Sequence, residues 1–287
     1  MKVARTVADV ALLVSRTKIS GKKVSFVPTM GAIHEGHVSL IQLAKQHSDL
    51  VVASIFVNPL QFTNSEDFEL YPRNEDADAK ALNKAGVDVL FLPTVDEIYP
   101  DANYAITQKA GSVGELYEGA ARPGHFDGML TVVSKLFDIV QPDVAIFGAK
   151  DAQQLFLIRQ MVAAQNPLGT RDPIEIIDGP TIRDSKGLAL SSRNKRLSKS
   201  QLQLALTLPR ALAEAALAAE RGGGASSAYF SASSVFSANG EAKLDYLALV
   251  NPATFQAIEE GFKGQALMIV AATVGDVRLI DNRLITF

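Results

Sequence analysis

The sequence predicts an α/β protein in which a Rossmann-like parallel sheet, with helices on both faces, precedes a smaller α+β C-terminal domain. Short apolar strands alternate with amphipathic helices as far as about residue 178. A glycine-containing turn links the first strand to a helix, the arrangement that binds phosphates in such sheets. Beyond residue 178 a long helix is followed by three strands. We therefore expect two domains, residues 1–178 and residues 179–287.

The hydrophobic periodicity indicates which segments form the expected sheet and its helices. Residues 3–18 carry apolar side chains at helical spacing, and Pro28 is expected to end the first strand because proline has no backbone donor. A long loop is expected from Pro93 to about Gly128, a length typical of lids and binding loops. Strands are expected near residues 24–28, 50–57, 87–93, 143–148 and 173–182, and helices from about residue 36, around residues 81–85, over residues 129–140 and around residues 155–158.

The C-terminal part has a different pattern. A helix rich in Ala and Leu is expected from Ser198 to about Arg221, and the glycines and serines at residues 222–227 end it. We expect a hinge between the two domains at residues 178–183. Strands are expected at residues 244–250, 266–272 and 277–282, and the last two are joined by a turn at Gly275 and Asp276.

Composition restricts the classes of function. The 287 residues include no cysteine, which excludes disulfides and thiolate chemistry. A formal net charge of -3 argues against a broad nucleic-acid-binding surface, so we expect any polyanion to bind in a local pocket. No apolar stretch approaches the roughly 20 residues that cross a bilayer, and the N terminus lacks a signal-peptide pattern. We therefore expect a cytoplasmic protein with no membrane partner.

The turn after the first strand contains two histidines at helical spacing, His34 and His37. They lie between Gly31 and the start of a helix near Gly36, where unpaired N–H groups attract anions. The alternatives are a metal pair or ordinary surface histidines. A zinc site needs three or four ligands, and the chain has four histidines in all and no cysteine. We therefore favour contact with phosphate.

Polar residues also follow two other expected strands, at the edge of the sheet where ligands bind. Asn58 and Gln61 follow the second strand, although Asn58 is also a common turn residue before proline and Gln61 could be a solvated loop amide. Lys150 follows the fourth strand and can reach an anion as a flexible point charge. The alternative is a solvent-facing lysine that pairs with Asp151.

Two further segments offer phosphate or metal contacts. Residues 191–194, Ser-Ser-Arg-Asn, present hydroxyl, guanidinium and amide donors to a polyphosphate, although they could instead cap the helix that begins nearby. In the acidic run at residues 75–78, Asp76 or Asp78 could contact a magnesium–phosphate group. Acidic residues at a helix start are more often simply favourable with the helix dipole.

Five strings, in order between residues 28 and 194, resemble known signatures. His-Glu-Gly-His at residues 34–37 resembles the His-x-Gly-His signature of the adenylyl-transferring superfamily, and the whole set resembles the pantothenate synthetase family. That family usually has Gly-Glu-Lys-Asp where this chain has Ala149 in place of the glutamate. The strings are Pro-Thr-Met-Gly-Ala-Ile-His-Glu-Gly-His at 28–37, Phe-Val-Asn-Pro-Leu-Gln-Phe at 56–62, Arg-Pro-Gly-His-Phe-Asp-Gly at 122–128, Gly-Ala-Lys-Asp at 148–151 and Leu-Ser-Ser-Arg-Asn at 190–194.

The resemblance implies a ligase that condenses (R)-pantoate with β-alanine through a pantoyl adenylate, while ATP is cleaved to AMP and pyrophosphate. It implies Mg²⁺ with ATP, no organic prosthetic group, a homodimer, and a C-terminal domain that acts as a lid. Arg122 and His125 are expected to shape the pocket, and Gln61, Gln154 and Asn58 to bind pantoate and β-alanine. The implied catalytic residues are His34, His37, Lys150 and Arg193, and the implied ATP-binding residues are Met30, Gly31, Ala32, Ile33, His34, Glu35, Gly36, His37, Gly148, Ala149, Lys150, Asp151, Ile182, Leu190, Ser191, Ser192 and Arg193.

Two other functions remain as alternatives. A nucleotidyltransferase that adenylates a phosphate-bearing small molecule would share the histidine turn, but it should have a basic pocket where Gln61 and Gln154 are neutral. A non-catalytic ATP-binding module would bind ATP without releasing AMP.

Overall fold

The computed structural model describes residues 1–62, 68–69, 71–102, 104–169 and 171–287. Within them the chain forms two compact units, residues 1–149 with 157–180 and residues 150–156 with 181–287. The first contains a six-stranded parallel sheet flanked by helices, and the second a three-stranded antiparallel sheet with helices. The predicted fold class is confirmed.

The parallel sheet of the first unit has the strand order β1-β4-β3-β2-β5-β6. The order reverses at β2, because β3, β4 and β1 lie on one side of it and β5 and β6 on the other. Such a reversal places ligands outside the carboxyl ends of the central strands. The strands are β1 (Lys2–Ala4), β2 (Val24–Thr29), β3 (Leu50–Ile55), β4 (Val89–Phe91), β5 (Val144–Gly148) and β6 (Glu175–Gly179).

The helices of this unit bury apolar faces against the sheet. The ring of Phe137 lies edge-on to Phe26 and Phe147, with centroid distances of 6.4 and 6.3 Å. The helices are α1 (Val7–Ile19), α2 (Glu35–His47), α3 (Glu75–Ala85), α4 (Val95–Ile98), α5 (Glu118–Ala121), α6 (His125–Val140) and α7 (Ala152–Gln165), whose first turns belong to the second unit; short 3₁₀ helices cover Pro59–Gln61, Pro100–Ala102, Ser112–Glu115 and Asn166–Leu168.

Three local predictions in this unit are wrong. Pro28 lies inside β2 and does not end it, because β5 pairs with β2 only at Ser25 and Phe26 and the missing donor is not needed beyond them. The helical pattern assigned to residues 3–18 begins too early, because residues 2–4 form an edge strand and α1 starts at Val7. Three residues are too few to show the period of a strand. The segment expected as a loop from Pro93 to Gly128 contains α4, α5, two 3₁₀ helices and the start of α6 in its described residues.

The second unit packs its helices on the antiparallel sheet. Its core includes Leu208, Leu212, Phe236, Met268 and Val270. The predicted hairpin is confirmed, since Val274 pairs with Val277 across the turn. The strands are β7 (Ala242–Val250), β8 (Gln265–Val274) and β9 (Val277–Thr286), and the helices are α8 (Lys199–Ala205), α9 (Thr207–Glu220) and α10 (Ala225–Ala238), with a 3₁₀ helix at Ser192–Arg196.

The single helix expected from Ser198 to Arg221 is divided at Leu206. Pro209 cannot donate to the carbonyl of Ala205, which accounts for the break. The serine-rich helix α10 was not predicted, because its small side chains give a weak apolar stripe. On length and composition alone, Lys199–Glu220 could cross a membrane, which differs from our expectation; 44% of its apolar window is buried in the protein, so this is weak evidence of a span.

The chain passes from the first unit to the second at Pro180 and Thr181, and residues 150–156 also belong to the second unit. The predicted domains, residues 1–178 and residues 179–287, stay a prediction. The roles assigned to the domains, and the hinge at residues 178–183, stay predictions.

Candidate active site

The two histidines of the predicted phosphate turn cap helix α2. Nδ1 of His34 accepts the backbone N–H of Gly36 at 3.1 Å, and Nδ1 of His37 accepts the backbone N–H of His34 at 3.3 Å. The two rings lie 4.1 Å apart between centroids. Because each Nδ1 accepts, a neutral ring carries its hydrogen on Nε2. Each imidazole therefore has Nε2 as its donor, at the positive end of the helix.

The backbone of this turn is left-handed at two successive residues. Gly31 has φ 83° and Ala32 has φ 51°, a conformation that costs energy for alanine. Asp78, on α3, holds it: its two carboxylate oxygens accept the N–H groups of Ala32 and Ile33, both at 2.8 Å. A Cβ atom on Gly31 would lie 2.8 Å from this carboxylate. Only glycine therefore fits between the turn and its support.

This placement bears on the predicted metal contacts. Asp78 is buried and both of its oxygens accept backbone N–H groups, whereas Asp76 is exposed. Across the part of the chain that the structure describes, no three His, Cys, Asp or Glu side chains are grouped so that they could hold a metal ion. The magnesium role of Asp76 or Asp78 stays a prediction, and the support of the turn by Asp78 was missed.

Gln61 lies beside the histidine turn. Its Nε2 donates to the sulfur of Met30 at 2.7 Å, and its Oε1 accepts from Asn58 at 3.2 Å. An amide nitrogen has two hydrogens and an amide oxygen two lone pairs, so each atom has capacity for a further bond. Gln61 is 7% exposed. The structure therefore brings two predicted site segments of the first unit together.

Asn58 is held on all sides. Its Nδ2 donates to Gln61 and to the carbonyl of Gly128, and its Oδ1 accepts from Tyr99 at 2.7 Å and from the N–H of Leu60 at 3.3 Å. These four bonds use the full capacity of the amide. Burial raises the pKa of Tyr99 above its ordinary value, so the phenol stays a donor. This placement favours an indirect role for Asn58, through Gln61.

Arg122 and His125 also converge on Gln61, at its backbone. Nδ1 of His125 lies 2.7 Å from the carbonyl oxygen of Gln61, and Nη2 of Arg122 donates to the same oxygen at 3.4 Å. Nη1 of Arg122 lies 3.2 Å from Nε2 of His125. The two residues thus position the Gln61 segment. Sequence reasoning did not find Tyr99, because a tyrosine in an irregular segment gives no pattern.

Strand β5 ends at Gly148, and Ala149 follows it in the first unit. The N–H of Ala149 donates to the carbonyl of Gly179 at the end of β6, at 2.8 Å. This bond fixes the backbone where the family pattern has a glutamate.

The remaining predicted site residues belong to the second unit. The side chain of Lys150 is 19% exposed, and its Nζ lies 3.9 Å from a carboxylate oxygen of Asp151. The alternative, a pairing of Lys150 with Asp151, is therefore present only as a long contact. Gln154 is half-buried on α7.

The serine and arginine residues follow a short hairpin in the same unit. Leu190 donates its N–H to the carbonyl of Ile182 at 2.9 Å, which pairs two predicted ATP-binding residues. Ser191 then caps the 3₁₀ helix, because its Oγ accepts the N–H of Arg193 at 3.3 Å. The helix of the capping alternative, α8, is instead capped by Ser198, whose Oγ accepts the N–H of Gln201. Ser192 and Arg193 are half-buried.

These groups suit one kind of chemistry. Imidazole N–H groups, a helix N terminus, an ammonium and a guanidinium stabilise negative charge that develops on phosphoryl oxygens. The chain has no cysteine nucleophile, and displacement at phosphorus by a carboxylate needs no covalent intermediate on the protein.

Comparison with known proteins shows the family of this chain. The family model described as pantoate-beta-alanine ligase matches residues 2–284. The pantothenate synthetase of Acidothermus cellulolyticus is 49% identical over 283 residues, which cover 98% of this chain and 90% of the relative. The crystal structure of pantothenate synthetase from Thermus thermophilus superposes with a TM-score of 0.91 at 43% identity, covering 99% of both chains.

A second solved structure includes bound molecules. It is the pantoate-beta-alanine ligase of Francisella tularensis complexed with beta-gamma ATP and beta-alanine, with a TM-score of 0.80, 36% identity, and coverage of 99% of this chain and 97% of that one.

Proposed function

The chain belongs to the pantoate–β-alanine ligase family, and from that premise we propose how its residues join pantoate to β-alanine at the expense of ATP. The observation that carries the proposal is the pair of imidazole side chains, His34 and His37, that cap the N terminus of α2. It places two imidazole rings, with Nε2 as the N–H donor of each neutral ring, at the positive end of the helix dipole and at the turn that follows a central strand.

In the first half-reaction, a carboxylate oxygen of pantoate attacks the α-phosphorus of ATP and pyrophosphate leaves. We propose that ATP binds at residues 30–37 and at Gly148, Ala149 and the second-unit residues, with His34, His37, Lys150 and Arg193 stabilising the phosphoryl charge. The second-unit residues are Lys150, Asp151, Ile182, Leu190, Ser191, Ser192 and Arg193.

In the second half-reaction, the amine of β-alanine attacks the acyl carbon of pantoyl adenylate and AMP leaves. We propose that Gln61 and Gln154 hydrogen-bond pantoate or β-alanine. Asn58, Arg122 and His125 then act by fixing Gln61, since the contacts of Asn58 are already complete within the protein. The complex of the Francisella relative with beta-alanine supports an amine site in this family.

We propose that Mg²⁺ enters with ATP as its complex. Magnesium commonly keeps phosphate and water ligands and takes one or two carboxylates from the protein. Such binding does not require a cluster of three protein ligands, and the described residues contain none. We further propose a cytoplasmic homodimer whose C-terminal unit acts as a lid. Sedimentation velocity of the purified protein tests the dimer.

The experiment that tests the function is AMP release by the purified protein. AMP should form only when ATP, Mg²⁺, pantoate and β-alanine are all present, and pantoate alone should support pyrophosphate exchange into ATP. Exchange with nicotinamide mononucleotide in place of pantoate would instead support a nucleotidyltransferase. Binding of ATP without AMP release would support a non-catalytic module.

A further inference from the structure

Strand β9 carries two adjacent polar residues, Asp281 and Asn282, that bond to distant parts of the second unit. Asp281 is 3% exposed and Asn282 is half-buried. Asp281 pairs with Val270 and Asn282 with Ile269 on the neighbouring strand β8, so their backbone positions are fixed by the sheet. Neither residue was singled out from the sequence.

Asp281 holds the hairpin that precedes the Ser-Ser-Arg segment. Its two oxygens accept Nη1 and Nη2 of Arg183 at 2.6 and 2.8 Å, a two-point contact of the strong kind. Arg183 also donates to the carbonyls of Gly187 and Asn282, at 3.0 and 3.3 Å. The bond to Asp281 raises the pKa of Arg183. The Arg183–Asp281 pair therefore fixes the hairpin that leads directly into residues 191–193.

Asn282 holds the other segment. Its Nδ2 donates to the backbone carbonyl oxygen of Lys150 at 2.8 Å. The backbone N–H of Asn282 donates to Oδ1 of Asp281 at 2.7 Å, which ties the Asp281 carboxylate to the backbone of its neighbour. Lys150 and Asn282 are 132 positions apart in the chain, so no local interaction could supply this bond.

We propose that Asp281 and Asn282 are positioning residues for ATP: one rigid strand sets the backbone of Lys150 and of the segment at Ser191–Arg193 together. The inference rests on the proposed function, because it takes the ammonium and the guanidinium as the groups that hold the triphosphate. Neither Asp281 nor Asn282 touches the nucleotide in this account. Their effect is to reduce the conformational freedom that Lys150 and Arg193 lose when ATP binds.

The placement of the bonds favours positioning over general stabilisation. Asn282 bonds to the carbonyl of Lys150 itself, and Arg183 lies in the hairpin whose last residue, Leu190, directly precedes Ser191. Apolar contacts already stabilise β9, since Leu279 and Ile285 of this strand are in the core of the unit. General stability of the strand therefore does not account for the polar bonds of Asp281 and Asn282.

The test compares the ATP affinity of Asn282→Ala and Asp281→Asn with that of the unsubstituted protein, by calorimetry with Mg–ATP. We expect the dissociation constant for ATP to rise about tenfold in each, the scale of one lost hydrogen bond or more. The KM for pantoate should stay within about twofold. Asn282→Ser is a second variant if Asn282→Ala does not fold.

Matched controls remove the same kinds of bond elsewhere in the unit. Asn239 donates its amide to the carbonyl of Val235 at 2.8 Å, and Asp245 accepts from Arg278 at 2.7 Å. Asn239→Ala and Asp245→Asn should lower the melting temperature, Asp245→Asn by less than Asp281→Asn because its ion pair is exposed, and both should leave the ATP dissociation constant unchanged.

The outcomes separate this inference from the proposed function. An ATP dissociation constant within twofold of the unsubstituted value in a folded Asn282 variant or in Asp281→Asn overturns the inference, as does an equal weakening of ATP and pantoate. A loss of ATP affinity confined to the test variants supports it, even if no AMP is released. Failure of the unsubstituted protein to bind ATP overturns both.

Discussion

At the scale of single residues, the turn after β2 depends on one carboxylate. Asp78 accepts two backbone N–H groups that no helix or strand satisfies. A buried donor without a partner is costly, so the turn keeps its left-handed shape only while this acceptor is present. The same contact fixes the start of α2, where both histidines lie.

Asp78→Asn tests this support. The amide presents one N–H₂ group to a backbone N–H, so we expect a loss of about 1–3 kcal/mol in the free energy of unfolding and weaker ATP binding. Chemical denaturation and calorimetry measure the two effects. Glu75→Gln is the control, because Glu75 is an exposed carboxylate of the same helix and pairs with Arg5. Equal effects of the two variants would contradict the assigned support.

His37→Ala tests the imidazole donors. We expect pyrophosphate exchange to fall about a hundredfold or more, since a donor to developing phosphoryl charge is lost. The cap contact to His34 is lost as well, which costs about 1 kcal/mol of stability, so circular dichroism should still show a folded protein. His47→Ala, at the exposed far end of α2, should retain full exchange. Normal turnover in His37→Ala would remove the histidine from the mechanism.

At the scale of elements, helix α10 begins without a capping side chain of its own and uses one from another segment. Glu260 accepts the N–H and the hydroxyl of Ser226 through Oε2, at 2.8 and 2.6 Å. These bonds lower the pKa of Glu260, which is fully exposed. A carboxylate near a helix N terminus is favourable, so this contact replaces the usual cap.

The lowered pKa of Glu260 predicts a pH-dependent stability. A carboxyl group with a lower pKa in the folded state stabilises the fold above its unfolded pKa of about 4.3, and this contribution is lost as the pH falls through the folded value. The melting temperature of Glu260→Gln should therefore lie below that of the unsubstituted protein at about pH 7, and the difference should shrink toward about pH 3.5. Glu259→Gln, at the exposed neighbouring position, controls for the loss of a surface carboxylate beside Glu260. A constant difference would argue against the ionised cap.

At the scale of the whole molecule, the proposed ATP residues are divided between two units, with His37 in one and Lys150 and Arg193 in the other. If they act on one transition state, their contributions to exchange cannot be independent. We predict that His37→Ala combined with Arg193→Ala loses less exchange activity than the product of the single losses. Pyrophosphate exchange rates for the four proteins measure this coupling. Fully additive losses would indicate that the two residues do not serve one triphosphate.

The sequence by itself determined the fold class, the family and the segments that contain the candidate site. These follow from local signals, because strand and helix periods, glycine turns and contiguous motifs are properties of neighbouring residues. It did not reveal that β2 continues through Pro28 to Thr29, since a proline is tolerated there only because β5, a strand more than a hundred residues away, stops pairing at Phe26.

Only the tertiary structure decided which side chains hold the site residues in place. Asp78 supports the turn of residues 31–33, Asn58 and His125 fix Gln61, and Asn282 holds Lys150. In each case a side chain bonds a backbone or amide group, and most partners are far apart in the chain. Such a bond needs an acceptor and a donor at the right distance and angle, and no spacing along the sequence encodes that geometry.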